Sequence, residues 1–196
     1  MVAGCSLVIL AGGRGRRMGR DKATLPAGDE SLVQRIVRRL RPVVDQVIVA
    51  GGQPESAPIG SAVVADAYPE AGPLAGILAG LRAARTPYAW VVGCDLPDVE
   101  PGLGPFMVRA MAGVDAVVPR VAGEPQGVCA VYAVTLAPRI DDLLRSGKRS
   151  VGALLETCRM HEVEEAELRL IDPELRSFRN LNTPAEYETW LSSSRR

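Results

Sequence analysis

Five basic residues crowd among the glycines of one short stretch. Arg14, Arg16, Arg17, Arg20 and Lys22 stand in Leu10-Ala-Gly-Gly-Arg-Gly-Arg-Arg-Met-Gly-Arg-Asp-Lys22. Glycine lets backbone N–H groups approach a ligand with no side chain in the way, and successive N–H groups in a turn form an anion-binding nest. Guanidinium and ammonium groups add charge-assisted hydrogen bonds. Five like charges on a tight loop repel one another unless an anion is expected there. The chemistry indicated is binding of a polyphosphate, most simply a nucleoside triphosphate. Two common phosphate motifs are excluded. A P-loop needs Gly-Lys-Ser/Thr at its end, but Gly19 is followed by Arg20-Asp21 and Lys22 by Ala23. The dinucleotide fingerprint needs a third glycine, and Met18 stands in its place.

A triphosphate calls for a metal, and Mg²⁺ favours one or two carboxylates alongside phosphate oxygens and water. Asp95, in Cys94-Asp-Leu-Pro97, follows the apolar run Ala89–Gly93 and is the expected Mg²⁺ ligand. Asp98 reads as a turn or cap residue, and Asp66, after Ala62–Ala65, as a partner for ribose or base or as a turn residue. Other catalytic schemes lack parts. The only histidine, His161, lies in a late charged segment, and no serine sits in Gly-x-Ser-x-Gly. A His-based triad, a zinc site and a nucleophile elbow therefore have no support. Attack of a phosphate oxygen on a nucleotide α-phosphate needs no general base, because the nucleophile is already ionised. It needs two polyanions held in line and the leaving pyrophosphate neutralised. Glycine N–H groups, Arg16, Arg17, Lys22 and a metal on Asp95 supply that, so the residues read as nucleotidyl transfer with nucleotide and acceptor unnamed.

Strand and helix patterns alternate along the chain. The class expected is α/β, a single three-layer Rossmann-like domain with a mostly parallel sheet and helices on both faces. Strands are expected at Ser6–Leu10, Gln46–Ala50, Ala62–Ala65, Ala89–Gly93, Asp115–Val118, Gly127–Val134 and His161–Val163, with a further extended piece at Arg169–Ile171. Helices are expected at Ser31–Leu40, Leu74–Ala84, Leu103–Met111, Thr135–Ser146 and Ser150–Cys158. On the first of these Arg35, Arg38, Arg39 and Arg41 read as a solvated face. The second carries the small residues Ala75, Gly76, Ala79 and Gly80, so it can lie close to the sheet, and Gly72-Pro73 at its start is a second candidate anion site. Thr183-Pro-Ala-Glu186 is a capping box with proline at the first helical position, opening a last helix to about Leu191. Residues 1–191 thus read as one domain and 192–196 as a flexible tail. In open α/β sheets ligands bind beyond the carboxyl ends of the strands. The basic loop, Asp66 and Asp95 all follow such ends.

The composition fits this. The chain has 196 residues, a formal net charge of zero and 47% hydrophobic residues. A balanced charge gives no general attraction to nucleic acid or anionic membrane. No signal peptide, membrane-spanning run or internal repeat is visible, and Cys5, Cys94, Cys129 and Cys158 lack metal or redox spacing. Buried free thiols in a reducing compartment, and hence a cytoplasmic protein, are expected.

Leu10-Ala-Gly-Gly followed by Arg17-Met-Gly-x-Asp-Lys22 resembles the signature of the sugar-nucleotidyltransferase-like superfamily, and within it the Mob-type molybdenum cofactor guanylyltransferases. Gly72-Pro-Leu-Ala-Gly-Ile77, Cys94-Asp-Leu-Pro97 and Phe178-Arg-Asn-Leu-Asn-Thr-Pro184 resemble that family's later motifs, in its order and across nearly the whole chain. The resemblance implies transfer of GMP from GTP to the terminal phosphate of molybdopterin, with release of pyrophosphate. It implies that Leu10, Ala11, Gly12 and Gly13 line the nucleotide and that Lys22 meets its phosphates. Asp66 would contact the nucleoside, Asp95 would hold Mg²⁺ as well as GTP, and Asn180 and Asn182 would lie near the pterin substrate. Transient contact with proteins that deliver or accept the cofactor is a further implication. Two positions depart from the family: Ala50-Gly51-Gly52 replaces an asparagine that contacts the nucleotide, and Gln126-Gly127-Val128 replaces a Pro-Leu pair. The rival activities are cytidylyl transfer to the same pterin, or another small-molecule nucleotidyl transfer. Cytidylyl enzymes tend to read Ala-Ala-Gly where Leu10–Gly13 stands. A non-catalytic nucleotide-binding module would be expected to lose Asp95 or Lys22.

Overall fold

The computed structural model describes residues 4–11, 24–51, 58–65, 67–68 and 71–194. The chain begins with β1 (Cys5–Leu10), a two-residue hairpin β2 (Pro26–Ala27) and β3 (Glu30–Ser31), then α1 (Leu32–Leu40), β4 (Gln46–Ala50), β5 (Ala62–Val64), α2 (Pro73–Ala83) and β6 (Tyr88–Gly93). It continues with α3 (Leu103–Arg109), β7 (Ala116–Val121), β8 (Glu124–Pro125), β9 (Cys129–Ala133), α4 (Ala137–Arg145) and α5 (Val151–Leu155), and ends with β10 (Met160–Val163), α6 (Glu165–Leu168) and α7 (Pro184–Ser194).

The main sheet runs β10-β7-β9-β6-β1-β4-β5, with β8 paired to the end of β7. The β1, β4, β5 and β6 pairings are parallel, as is β10 with β7, whereas β9 runs antiparallel to both β6 and β7. Every residue of β1 is buried, as expected of a strand covered on both faces. On one face α1 and α3 supply Val33, Ile36, Leu40, Leu103 and Met107 to the core; on the other α2, α4 and α5 supply Leu74, Ile77, Leu81, Ile140 and Leu154. The expected three layers and mostly parallel sheet are what forms.

The close approach of α2 is visible at Gly80, where a Cβ would overlap the branched carbons of Val8 on β1. Ser31 caps α1 by accepting from the Gln34 N–H, and the Gln34 amide oxygen accepts from the Ser31 N–H. The last helix carries the predicted capping box: Thr183 Oγ1 accepts from the Glu186 N–H at 3.2 Å, and Glu186 accepts from the Thr183 N–H at 2.9 Å.

Several elements differ from the sequence pattern. The strand expected at Gly127–Val134 begins only at Cys129, because Gly127-Val128 forms a turn in which the Cys129 N–H bonds the Gln126 carbonyl. Arg169–Ile171 is not extended. It ends the turn opened by α6, with the Arg169, Leu170 and Ile171 N–H groups bonded to the carbonyls of Glu165, Glu167 and Leu168. α5 stops at Leu155 rather than Cys158, and α7 runs on to Ser194, past Leu191 and into the stretch that the sequence marks as tail. Arg195 and Arg196 lie outside the described residues.

Candidate active site

The site is built at one edge of the sheet. Parallel register brings Leu10 beside Ala50 on one side and Gly93 on the other, so the chain leaves β1, β4 and β6 at the same edge. Hydrogen bonds carry the alignment past the strands: Ala11 N–H to Ala50 O at 2.9 Å, Gly51 N–H to Val64 O at 2.9 Å, and Cys94 N–H to Leu10 O at 3.1 Å. Leu10 and Ala11 are therefore the buried threshold of the glycine-basic loop. Asp95 stands one residue beyond that threshold on the neighbouring strand. The crossover from β5 to β6 puts the N-terminus of α2 at this edge too, with Gly72 at φ 76° and Pro73 in the first turn. The positive end of the helix dipole thus faces the side where a polyphosphate is expected.

Asp95 is half-buried, and its carboxylate folds back over the end of β6. A Cβ on Gly93 would lie 2.5 Å from Asp95 Oδ1. A side chain there would turn the carboxylate away, so Gly93 is part of how the acid is aimed. A single well-placed carboxylate is the donor type that Mg²⁺ uses together with substrate phosphates. Among the described residues no group of three or more His, Cys, Asp or Glu is gathered around one point, so the residues fit an ion shared with the nucleotide rather than a closed protein cage.

The terminal asparagine segment comes to the same place. Leu181 N–H donates to the Asp95 carbonyl at 3.0 Å, while its side chain is buried against Leu25, Ala27, Leu32 and Trp190. Asn180 and Asn182 flank that anchor and are exposed. Leu25 itself follows the glycine-basic loop and accepts from the Leu32 N–H at 2.9 Å. One small apolar cluster therefore ties the exit of the loop, the start of α1, the asparagine segment and α7. Beside it lies a cavity of about 890 Å³ whose lining includes Arg35, Arg39, Asp98, Asn180 and Trp190.

Of the residues singled out from the sequence, Leu10, Ala11, Asp95, Asn180 and Asn182 are thus brought to one edge. Gly12, Gly13, Arg16, Arg17, Lys22 and Asp66 lie outside the described residues. His161 is exposed on the edge strand β10. Cys5, Cys94 and Cys129 are buried free thiols. Burial pushes the Cys5 and Cys129 thiols up to about 12, which removes them as nucleophiles near neutral pH.

One expectation is corrected. Arg35 and Arg39 are not a solvated face: Arg35 bonds Asp98 and lies over Trp190, and Arg39 pairs with Glu100 at 3.6 Å. Only Arg38 and Arg41 remain exposed on that side of α1. The two oxygens of Asp98 accept from Arg35 and from the Trp190 indole N–H. The signals available were an i, i+4 arginine pair and one tryptophan in a terminal helix, which a solvated helix would show equally.

β1 and β6, with the N-terminus of α2, form the switch of a mostly parallel sheet, the place where open α/β folds bind their ligands. Residues 7–163 match the family described as MobA-like NTP transferase domain, and the chain belongs to that family of nucleotidyltransferases. It is similar to a probable molybdenum cofactor guanylyltransferase of Pelotomaculum thermopropionicum, at 39% identity over 91% of this chain and 88% of that protein. It is also similar to the molybdenum cofactor guanylyltransferase of Syntrophotalea carbinolica, at 33% identity over 94% and 90%. Among solved structures it superposes on molybdopterin-guanine dinucleotide biosynthesis protein A from Archaeoglobus fulgidus with a TM-score of 0.81, 26% identity and 96% of each chain covered.

Proposed function

We propose that this protein transfers GMP from GTP to the terminal phosphate of molybdopterin, forming the guanine dinucleotide and pyrophosphate. The observation that carries this is the Leu181 N–H to Asp95 carbonyl bond. It joins an acid suited to a metal-bound nucleotide to the asparagine segment suited to an acceptor, so that two substrates can meet beside one residue. The names of the relatives supply guanine and the pterin.

An acceptor phosphate oxygen forms the new bond to the α-phosphorus while the bond between the α-phosphorus and the bridging oxygen breaks. The electron pair leaves with pyrophosphate. The nucleophile is an anion from the start, so no side chain has to remove a proton. The protein's task is placement and charge neutralisation. Backbone N–H groups of Gly12 and Gly13, with Arg16, Arg17 and Lys22, are assigned to the phosphates, Leu10 and Ala11 to the wall beneath the nucleotide, and Asp66 to the nucleoside. Asp95 would hold Mg²⁺, which when bound supplies positive charge against the phosphate oxygens. Asn180 and Asn182 are assigned to the pterin substrate. The reading places the protein in the cytoplasm, in passing contact with proteins that supply or receive the cofactor; its buried thiols suit a reducing compartment. No helix among the described residues is long and apolar enough to cross a membrane.

The test is a thermal-shift panel of GTP, CTP, ATP and UTP with Mg²⁺, followed by pyrophosphate release with and without molybdopterin. GTP at one hundred times its dissociation constant adds about 2.7 kcal/mol, which raises the melting temperature by roughly 5–10 °C for a chain of this size. Stabilisation by CTP and not GTP overturns the guanylyl assignment. GTP-dependent release that ignores molybdopterin overturns the acceptor.

A further inference from the structure

We infer that Arg35, Asp98 and Trp190 form a positioning clasp that sets acceptor binding. It does so by holding the asparagine segment against the loop of Asp95. The inference rests on the functional reading above and adds residues that reading does not use.

Three elements meet at Asp98. Its Oδ2 accepts from Trp190 Nε1 on α7 at 2.7 Å, and its Oδ1 accepts from Arg35 Nη2 on α1 at 3.2 Å. The Arg35 guanidinium carbon lies 5.2 Å from the Trp190 ring centroid, closing the triangle by a cation–π contact. These groups are shielded: Trp190 is 8% exposed, and the side chains of Arg35 and Asp98 are 20% and 26% exposed. Charge-assisted bonds with restricted water access are the stronger kind.

The clasp is placed to act through the backbone. Asp98 stands three residues after Asp95 in the same loop. Trp190 lies on the helix that directly follows Asn180-Leu181-Asn182 and packs on Leu181. A second tie fastens the same two segments, since the Glu100 N–H donates to Ser177 Oγ at 2.9 Å. The clasp therefore fixes the distance between Asp95 and the asparagines on the acceptor side. The ends of β1 and β4, on the nucleotide side, are held by the sheet ladder, and Trp190→Phe keeps the ring that packs in the apolar cluster, so the hydrogen bonds of the clasp act chiefly on the acceptor side. Loss of the clasp should loosen the acceptor while leaving GTP binding in place.

The test uses Trp190→Phe, which keeps a ring beneath Arg35 and removes the donor to Asp98, together with Asp98→Ala and, as a control, Arg38→Ala. Arg38 lies on the same helix and pairs with Glu30 at the surface. The expected result for Trp190→Phe and Asp98→Ala is a KM for molybdopterin raised about tenfold, the size of one lost charge-assisted hydrogen bond, with GTP affinity unchanged. Amide exchange at residues 180–182 should rise while that at β10 stays constant. Arg38→Ala should leave all of these as in the wild type. An unchanged KM for molybdopterin, a parallel loss of GTP affinity, or the same effect in Arg38→Ala overturns the clasp. If the wild type transfers nothing to molybdopterin from GTP, the functional reading fails instead. The exchange measurement still decides the clasp: unchanged protection at residues 180–182 in Trp190→Phe overturns it.

Discussion

At the scale of single residues, Asp95 and Gly93 work as a pair. The carboxylate occupies the space that a side chain on Gly93 would need. Asp95→Asn should lower metal-dependent turnover by at least about a hundredfold, since several kcal/mol of charge stabilisation depend on the ion. Gly93→Ala should produce a similar loss at nearly wild-type GTP-independent stability, by displacing the acid rather than removing it. Steady-state kinetics across a Mg²⁺ titration check both. A Gly93→Ala enzyme with wild-type kinetics would show that the folded-back carboxylate is not the working one. The buried thiols give a further expectation. Cys5 and Cys129 should resist alkylation at neutral pH, because burial holds both up at about 12; rapid labelling of either in the native protein contradicts that burial.

At the scale of elements, α2 packs on β1 in a tight joint. Gly80→Ala gains helix propensity of up to about 1 kcal/mol, yet its methyl would overlap Val8. Overpacking of this kind costs about 1–3 kcal/mol, so the net effect should be destabilising, by up to roughly 2 kcal/mol. Adding Val8→Ala should recover part of that loss, a coupling that urea unfolding of the double-mutant cycle measures. Purely additive effects would mean the helix shifts freely. This joint was legible in the chain, because small residues on one helical stripe announce close approach. So were β4, whose bounds match the pattern residue for residue, and the capping box of α7. The boundaries that moved did so for tertiary reasons. Gly127-Val128 is as apolar as a strand, but β9 runs opposite to β6, and a turn there lets Val128 O accept from the Gly93 N–H at 2.9 Å. Nothing in local sequence distinguishes a strand that reverses from one that does not. Arg35, Arg39 and Trp190 were invisible for a related reason. Their partners Asp98 and Glu100 belong to a different element, so only the assembled fold separates them from solvated residues.

At the scale of the whole molecule, carboxylates tie α4 to α2 and to the entry of β7 and give the fold an acid limit. Asp141 on α4 accepts from the Tyr68 hydroxyl at 2.7 Å and pairs with Arg145 and Arg82. The tyrosine bond first, and then the two guanidinium groups, hold its carboxyl below the usual range against a smaller opposing effect of burial. Asp115, before β7, is lowered first by the Arg159 backbone N–H and then by the Arg159 and Arg139 side chains. Both groups favour the charged form in the folded state. Their stabilisation is therefore fully present above the unfolded carboxylate value of about 4 and is lost as pH falls through the lower folded values. Melting temperatures of the wild type and Asp141→Asn should differ near neutrality and converge in acid. A gap that stays constant from about pH 7 to about pH 2 would show that the charge of Asp141 does not matter.

The apolar cluster of Leu25, Ala27, Leu32, Leu181 and Trp190 joins the beginning of the chain to its far end, and this has a consequence for synthesis. Chains emerge from the ribosome at about 5–20 residues per second, so this cluster waits through most of translation for residues 181–190. Until they arrive, β1 and β4 can already pair, but Leu25, Ala27 and Leu32 lack Leu181 and Trp190 to complete their cluster, and the Asp95 carbonyl lacks the Leu181 N–H. A nascent chain can therefore build its sheet early and close this cluster last. Joining of the Asp95 loop to the asparagine segment becomes a late event in the life of each molecule, set by the arrival of α7.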